Sequence, residues 1–239
     1  FKGNDFLEEC QNAGWHVTLV TKEKLLDEPW VWTSLNSVKT VSNDAKIEDY
    51  IRAATNVAGS QPVHRVVGLD EFDQITAAMA REHLQIPGMS TSQTLRFRDK
   101  LTMRNIASLH GINCPEFVGA FNADQINEYL DRVPAPWIVK PRHEVSAFGI
   151  RKCETKDEVW QQLTNLDNRN TWRDHPSQYQ IERFIVGDVY HVDSIVNDGV
   201  VLASGISKYG KPPFSVTHGG GVFTTSTVPY KSKERKHLE

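Results

Sequence analysis

Lys140 and the loop that follows it combine residue types that are suited to binding a polyphosphate. Residues 137–139 form a short apolar run, and Pro141 removes a backbone donor directly after the lysine, so a strand is predicted to end at Lys140. The loop of residues 143–149 contains small side chains, which let backbone N–H groups approach an anion closely. A plain hairpin with a polar turn produces the same pattern, so both interpretations stay open for this stretch.

The first 90 residues alternate between helical and strand patterns joined by short connections. This alternation predicts an α/β unit with a parallel, doubly wound sheet. Asp70 and Glu71 follow its third strand, and they either contribute to a ligand site at the carboxyl edge of the sheet or cap the next helix. The predicted strands are residues 15–21, 38–42 and 64–69.

A second unit is predicted after Ile86-Pro87-Gly88, which punctuates the chain near residue 90. It opens with a helical pattern that runs from Ser92 or Thr94 to Gly111 and carries a basic cluster, which is typical of a solvated helix face. The cluster comprises Arg96, Arg98, Lys100 and Arg104. A small α/β unit follows, with predicted strands at residues 117–120, 136–140 and 150–152 and predicted helices at 123–132 and 155–166.

The last third of the chain is predicted to form antiparallel sheet. Three strand patterns follow one another, and Asn197-Asp198-Gly199 is typical of a hairpin turn between the second and the third. The stretch 211–229 is rich in glycine and proline, and we interpret it either as a mobile cover loop or as a structureless connection. The predicted strands are residues 178–185, 189–196 and 200–208.

Composition limits the classes of function. Of the 239 residues, 39% are hydrophobic and 24% are charged, and the net charge of −3 shows no bias toward nucleic acid or membrane surfaces. No apolar run approaches the roughly 20 residues that a membrane helix needs. Three widely spaced cysteines fit neither a disulfide framework nor a zinc site, so we predict free thiols in a cytoplasmic protein.

Two motif matches fail when their residues are considered one by one. Residues 205–212 resemble a Walker phosphate loop, but Pro212 stands where a hydroxyl residue would bind magnesium, and Pro213 argues against a following helix. Residues 218–221 resemble a lipase oxyanion loop, yet the sequence contains no GxSxG nucleophile elbow. The nine histidines show no zinc-binding spacing.

Three motifs together resemble, in order and spacing, an ATP-grasp enzyme preceded by its pre-ATP-grasp domain. They are RDKLTMR at residues 98–104, PWIVKPRHEVSAFGI at 136–150 and QIERFIVGDVYHVDS at 180–194. The resemblance covers nearly the whole chain. It implies a Rossmann-like pre-ATP-grasp domain at residues 1–90 and an ATP-grasp domain, of α+β type, at 91–239. The latter would comprise a small ATP-binding subdomain at about 112–186 and the start of the large subdomain at 187–239.

The resemblance also implies roles for individual residues. Lys100 and Lys140 match nucleotide-binding lysines, the second of which contacts adenine and phosphate, and residues 143–149 match the phosphate loop. Glu182 matches the acid that accepts a hydrogen bond from the adenine amino group, and the backbone of the next three residues matches the hinge that pairs with the ring edge. The implied nucleotide-binding residues are Lys100, Lys140, His143, Ser146, Ala147, Phe148, Gly149, Glu182, Arg183, Phe184, Ile185, Asp188 and Lys208.

The sequence departs from the family pattern in two places. Val189 follows Asp188 where a ribose-binding acid is usual, so the ribose contact stays open. The family's magnesium-binding acids have no counterpart before Glu239, and no metal ligand is assigned. The resemblance therefore implies that the carboxyl-terminal part is missing, either because the chain is truncated or because it comes from a longer protein. The cofactors that it implies are ATP and Mg²⁺.

The resemblance implies an ATP-dependent carboxylate–amine ligase that acts through an acylphosphate, with a small-molecule carboxylate and an amine or similar nucleophile as substrates. Positioning and charge neutralisation dominate such phosphoryl transfer, and no catalytic side chain is assigned. The alternative is a nucleotide-binding module without ligase activity. A dinucleotide-binding protein is disfavoured, because no GxGxxG opens a helix. No nucleic-acid or membrane partner is expected, and the oligomeric state is open.

Overall fold

The structure, a computed structural model, describes residues 2–144, 149–167 and 178–238. Contacts divide the chain into two compact units, the first ending at Ile106 and the second beginning at Ala107. The sequence places the domain boundary earlier, near residue 90. Within the described ranges, no helix combines the length and the apolar character needed to cross a bilayer.

The first unit contains two parallel strands, β1 (Thr18–Lys22) and β2 (Ser37–Val41), which pair in register from Thr18 opposite Ser37. Leu7, Leu19 and Trp30 form its buried apolar cluster. Short 3₁₀ turns lie at Glu23–Leu25, Trp32–Ser34 and Glu71–Asp73. Its helices are α1 (Asn4–Asn12), α2 (Ile47–Ser60), α3 (Gln74–His83), α4 (Thr91–Arg98) and α5 (Lys100–Leu109), the last of which crosses the junction between the units.

The strand predicted for residues 64–69 was wrong. This segment carries no regular secondary structure, although it contains Val66 and Val67 and precedes a helix as a strand would. The carbonyl of Val66 instead accepts a hydrogen bond of 2.9 Å from Nη1 of Arg81, whose side chain is buried and also bonds the carbonyl of Met89. A buried guanidinium therefore satisfies backbone groups here that a sheet ladder would otherwise satisfy.

The helical pattern of residues 92–111 is broken at Asp99. The carboxylate of this buried residue accepts from the backbone N–H of Leu101 at 3.0 Å, so Asp99 caps α5 and makes Lys100 its first residue. Arg98, predicted to lie on a solvated face, is buried and ion-paired with Glu71. The prediction of a solvated face was therefore wrong for Arg98, whereas Arg96 of the same cluster is exposed as predicted.

Asp70 acts as a cap, as one of the two interpretations held. Its Oδ1 accepts from the backbone N–H of Phe72 at 3.1 Å, and Asp73 Oδ2 accepts from the N–H of Asp70 at 3.2 Å. Asp70 also pairs with Lys2 at 2.5 Å, which together with the Phe72 bond lowers the pKa of its carboxyl. These contacts account for the acidic residues at this helix start without a ligand.

The second unit is built around a four-stranded antiparallel sheet in the order β3-β6-β4-β5. Helices α6 (Ala123–Arg132) and α7 (Lys156–Asp167) cover its core face. Strand β4 is buried at every residue, and Ile126, Val139 and Leu163 lie in its fully buried core. The strands are β3 (Phe117–Gly119), β4 (Trp137–Pro141), β5 (Arg151–Cys153) and β6 (Tyr179–Arg183).

A three-stranded antiparallel sheet completes the second unit, in the order β7 (Tyr190–Asn197), β8 (Val200–Tyr209), β9 (Thr225–Thr227). Asp198 and Gly199 both have positive φ and form a two-residue turn, which confirms the hairpin turn predicted at Asn197-Asp198-Gly199.

The structureless connection considered for the stretch 211–229 was wrong, because this stretch contains β9 and helix α8 (Pro213–Gly219). A covering role for it stays a prediction. Pro213 stands at the start of α8, where its missing N–H would have no helical partner in any case. The argument against a helix after residue 212 therefore does not hold. A last helix, α9 (Lys233–Leu238), follows.

Candidate functional site

Side chains alternate along β4 and β6, so each strand presents two different faces. Val139 and Ile181 point into the hydrophobic core. On the opposite face, the ladder places Lys140 directly across from Gln180, and Glu182 lies two residues further along β6. The sequence thus places three polar side chains on the face of the sheet that turns away from the core.

Lys140 and Glu182 form a buried ion pair on this face. The Nζ of Lys140 contacts Oε1 of Glu182, and each side chain retains only 10% of its exposure. Burying two charges is costly unless they are paired and hydrogen-bonded, so this contact fixes both groups near one another. The structure therefore brings together the two residues for which the family resemblance implies contacts with adenine and phosphate.

Gln180 completes the polar group. It is fully buried, and its Nε2 donates to Oε2 of Glu182 at 3.2 Å. Sequence reasoning missed this residue, although its spacing of two from Glu182 was a usable signal, since alternate residues of a strand share a face.

The hydroxyl of Tyr129, on α6, donates to the carbonyl of Glu116 at 2.9 Å. Burial, with Glu182 as a second cause, raises the pKa of this hydroxyl.

The proposed phosphate loop is described at its two ends. Strand β4 continues one residue further than predicted, and the N–H of Arg142 donates to the carbonyl of Gln178 at 2.8 Å. His143 is half-buried. Gly149 has φ +71°, and a Cβ at this position would lie 3.1 Å from Cγ of Pro141, so glycine suits this turn. The predicted loop residues Ser146, Ala147 and Phe148 lie outside the described residues.

The predicted hinge, residues 183–185, follows directly from β6. Arg183 still pairs with Trp137 in the ladder, and the N–H of Phe184 donates to the carbonyl of Pro136 at 2.9 Å. Ile185 then leaves the sheet and is exposed. The chain thus leaves the end of β6 and enters solvent at the residues assigned to the ring edge of the nucleotide.

An aromatic chain connects this hinge with α8 and β5. Nζ of Lys152 lies 4.8 Å from the ring centroid of Phe184, which is 6.4 Å from that of Phe214. Phe214 stacks on His218 at 4.2 Å, and Nε2 of His218 donates to the carbonyl of Ile150 at 2.9 Å. The end of α8 therefore contacts Ile150, the residue that follows the proposed phosphate loop. The sequence reasoning singled out neither Lys152 nor Phe214.

Lys208 belongs to a second cluster of charges, on the three-stranded sheet. Its Nζ lies 2.6 Å from Oδ2 of Asp188 and 3.7 Å from Oε1 of Glu234. Hydrogen bonds to Asp188 and to Tyr190 raise the pKa of the lysine. Asp188, whose ribose contact the sequence left open, is thus paired with another of the predicted nucleotide-binding residues.

Lys100 lies in the first unit, at the start of α5 and next to the buried Asp99. Its predicted contact with a nucleotide bound in the second unit therefore stays a prediction. Among the described residues, no group of three His, Cys, Asp or Glu side chains is placed to hold a metal ion. The polar group on β4 and β6 suits a nucleotide base, because it offers charged and amide groups in a largely dry setting.

Comparisons with known proteins agree on one fold. No protein-family model matches the chain. It is 23% identical over 151 residues to the L-arginine-specific L-amino acid ligase of Bacillus subtilis, which is 63% of this chain and 37% of that protein. It also resembles the solved L-amino acid ligase from Bacillus licheniformis, with a TM-score of 0.72 and 21% identity, covering 100% of this chain and 55% of that one.

A third similarity includes a bound nucleotide. The biotin carboxylase domain of the Hydrogenobacter thermophilus 2-oxoglutarate carboxylase, in complex with MgADP, ADP and bicarbonate, has a TM-score of 0.68 at 13% identity. The match covers 87% of this chain and 48% of that one. The chain thus spans about a third to a half of the proteins that it resembles. The predicted resemblance is confirmed at the level of the fold: this chain shares the mixed α/β fold of these ligase and carboxylase structures.

Proposed function

We propose that this chain binds ATP as part of an ATP-dependent carboxylate–amine ligase. The observation that carries the proposal is the buried Lys140–Glu182 pair, on the sheet face that turns away from the core. In the proposed complex, Glu182 accepts from the adenine amino group, the hinge pairs with the ring edge and Lys140 faces the phosphates. The L-amino acid ligases that share the fold support this choice of reaction class.

In the proposed reaction, a carboxylate oxygen attacks the γ-phosphorus of ATP, the bond to the β,γ-bridging oxygen breaks and ADP leaves. An amine then attacks the acyl carbon of the acylphosphate, loses a proton and displaces phosphate. Residues of this chain contribute by binding and by neutralising charge, which supply much of the rate in phosphoryl transfer. Lys140 and the amides at the ends of loop 143–149 are the groups that we assign to this task.

Mg²⁺ is the second cofactor that we propose, and the MgADP complex of the biotin carboxylase domain supports it. Magnesium, when bound with the nucleotide, would neutralise part of the charge of the phosphates. Acidic side chains do not gather for it among the described residues, and we assign none of them to the metal. A cytoplasmic location and the lack of a nucleic-acid partner also stay predictions from composition.

Calorimetric titration with a non-hydrolysable ATP analogue tests the nucleotide-binding part of the proposal. The protein is expected to bind the analogue, and Lys140→Met is expected to weaken binding at least about tenfold, since a charge-assisted contact is lost. Lys156→Met is the matched control, because Lys156 lies in the same unit and pairs with Asp131 at the exposed end of α7. Equal affinity in the protein and the Lys140→Met variant would overturn the assignment.

The ligase reaction needs its own measurement. Amino acids carry both a carboxylate and an amine, so pairs of amino acids are the first substrates to supply with ATP and Mg²⁺. Release of phosphate that depends on both substrates is the expected result. Tight binding of ATP without any phosphate release over a broad set of carboxylates would favour the alternative, a nucleotide-binding module without ligase activity.

A further inference from the structure

Gln180 is an unusual residue for its position. Its side chain is fully buried, and it lies on the face of β6 that also carries Glu182, directly opposite Lys140 of β4. Buried amides normally satisfy both their oxygen and their nitrogen. Among the residues that the structure describes, Oε1 of Gln180 has no hydrogen-bond partner, and Nε2 bonds Glu182.

The orientation of the amide follows from its neighbour. A carboxylate can only accept hydrogen bonds, so the nitrogen of Gln180 must face Oε2 of Glu182 and the oxygen must face away. An apolar side chain of the same length would avoid leaving a buried oxygen without a partner. Among the described residues, the favourable contact of this amide is its bond to Glu182, and the buried oxygen without a partner is unfavourable for folding.

The two oxygens of Glu182 have different partners. Oε1 contacts Lys140 and Oε2 accepts from Gln180. When a nucleotide draws the Lys140 ammonium toward its phosphates, the bond from Gln180 still holds Oε2 of the carboxylate. Loss of that bond removes a donor from Oε2 and favours rotation of the carboxylate toward the ammonium, where a two-oxygen contact forms.

We propose that Gln180 is a positioning residue for base recognition: it holds the Glu182 carboxylate where an exocyclic amino group of a nucleobase can donate to it. This inference rests on the proposed ATP binding and deepens it. Gln180 acts through Glu182, so its contribution is present only for a base that carries the amino group. A merely structural role in the sheet would affect all nucleotides alike.

The test compares two nucleotides, ATP and purine riboside triphosphate, which lacks the amino group. In the unchanged protein, ATP is expected to bind more tightly. In Gln180→Met, which keeps the length and removes the N–H donor, ATP affinity is expected to fall about tenfold while affinity for the purine analogue stays within about twofold. The preference for the amino group is therefore expected to shrink by about the same factor.

Ile181→Val is the matched control, since it alters the neighbouring residue on the core face of the same strand. It is expected to lower thermal stability and to leave the ratio of the two affinities unchanged. Gln180→Asn retracts the amide by one methylene, and it provides the same comparison if the methionine variant does not fold.

Two results would overturn the inference alone: equal weakening of both nucleotides, or no change for either, in Gln180→Met and Gln180→Asn. Failure of the unchanged protein to bind either nucleotide would instead overturn the proposed function, and the inference with it. The two failures are therefore distinguishable in one set of titrations.

Discussion

The two sheets of the second unit are stabilised in different ways. The four-stranded sheet has β4 buried at every residue, with apolar side chains on one face and the Lys140–Glu182 pair on the other. In the three-stranded sheet, the outer halves of β7 and β8 are exposed on both faces, and Ile195 and Leu202 retain more than 60% of their exposure. Burial stabilises the first sheet, whereas ladder pairing and a favourable turn define the hairpin of the second.

This difference in burial determines how strongly the ion pair on each sheet affects stability. A buried charge without a partner is very unfavourable, so Lys140 and Glu182 depend on one another. The pair between Lys208 and Asp188 is exposed, and solvent screens it. The same residue types therefore have different consequences on the two sheets.

Breaking the buried pair is expected to give the largest effect. Glu182→Leu leaves the Lys140 ammonium buried without its carboxylate, and we expect a loss of about 3–5 kcal/mol of unfolding free energy. Lys140→Met combined with Glu182→Leu is expected to recover most of that loss, because no charge is then left alone. Hydrogen exchange of the β4 and β6 amides in increasing urea measures both changes.

Asp188→Asn is the matched change on the other sheet, and it is expected to leave the stability nearly unchanged, since water replaces the lost partner of Lys208. If Asp188→Asn destabilised the protein as much as Glu182→Leu, the distinction between the two sheets would be wrong.

Removing apolar volume is expected to give the next largest difference. Leu163 is fully buried between α7 and the four-stranded sheet, so Leu163→Ala leaves a cavity and is expected to cost about 2–5 kcal/mol. Leu202→Ala makes the same chemical change at a side chain that is 63% exposed, and it is expected to alter stability by less than about 0.5 kcal/mol. Urea unfolding of both variants checks the pair, and equal losses would contradict the comparison.

The predictions from sequence were most accurate for elements that are determined by residues close to one another in the chain. Helix α6 was predicted at residues 123–132 and is found there, because Asn122 caps it and accepts from the N–H of Gln125 at 3.0 Å. The turn at Asp198 and Gly199 was also predicted correctly, since few residues adopt positive φ in succession. Both features depend on neighbours within a few residues.

The predictions failed where distant residues decide. A strand was expected at residues 64–69, but Arg81 takes up the carbonyl of Val66, and no local pattern predicts that contact. The candidate site shows the same division. Lys140 and Glu182 were identified from their motifs. Gln180 was missed although it lies two residues from Glu182, because its position opposite Lys140 depends on the pairing of β4 with β6.

The reactivity of two thiols, one on each sheet, tests the same difference in burial without changing an apolar core residue. Burial, with smaller effects from Glu158 and Glu154, raises the pKa of Cys153 on β5 from 9.0 to about 11. At pH 8 this thiol is therefore protonated as well as inaccessible, and iodoacetamide is expected not to modify it in the native protein. A cysteine introduced by Ser194→Cys, on exposed β7, is expected to react at the rate of an ordinary thiol. Mass spectrometry of the labelled peptides measures both rates.

The raised pKa of Cys153 also has a consequence for stability, whose sign follows from linkage. The native state binds the thiol proton more tightly than the unfolded state, so the associated stabilisation is fully present below pH 9, the ordinary pKa, and is lost as the pH rises toward 11. Cys153→Ala is expected to make the stability less dependent on pH in that window, whereas Ser194→Cys is expected to leave the dependence nearly unchanged.

The labelling experiment has an outcome that would contradict the comparison. Rapid labelling of Cys153 in the native protein at pH 8 would show that the four-stranded sheet opens as readily as the hairpin, and the two sheets would then not differ in the way described.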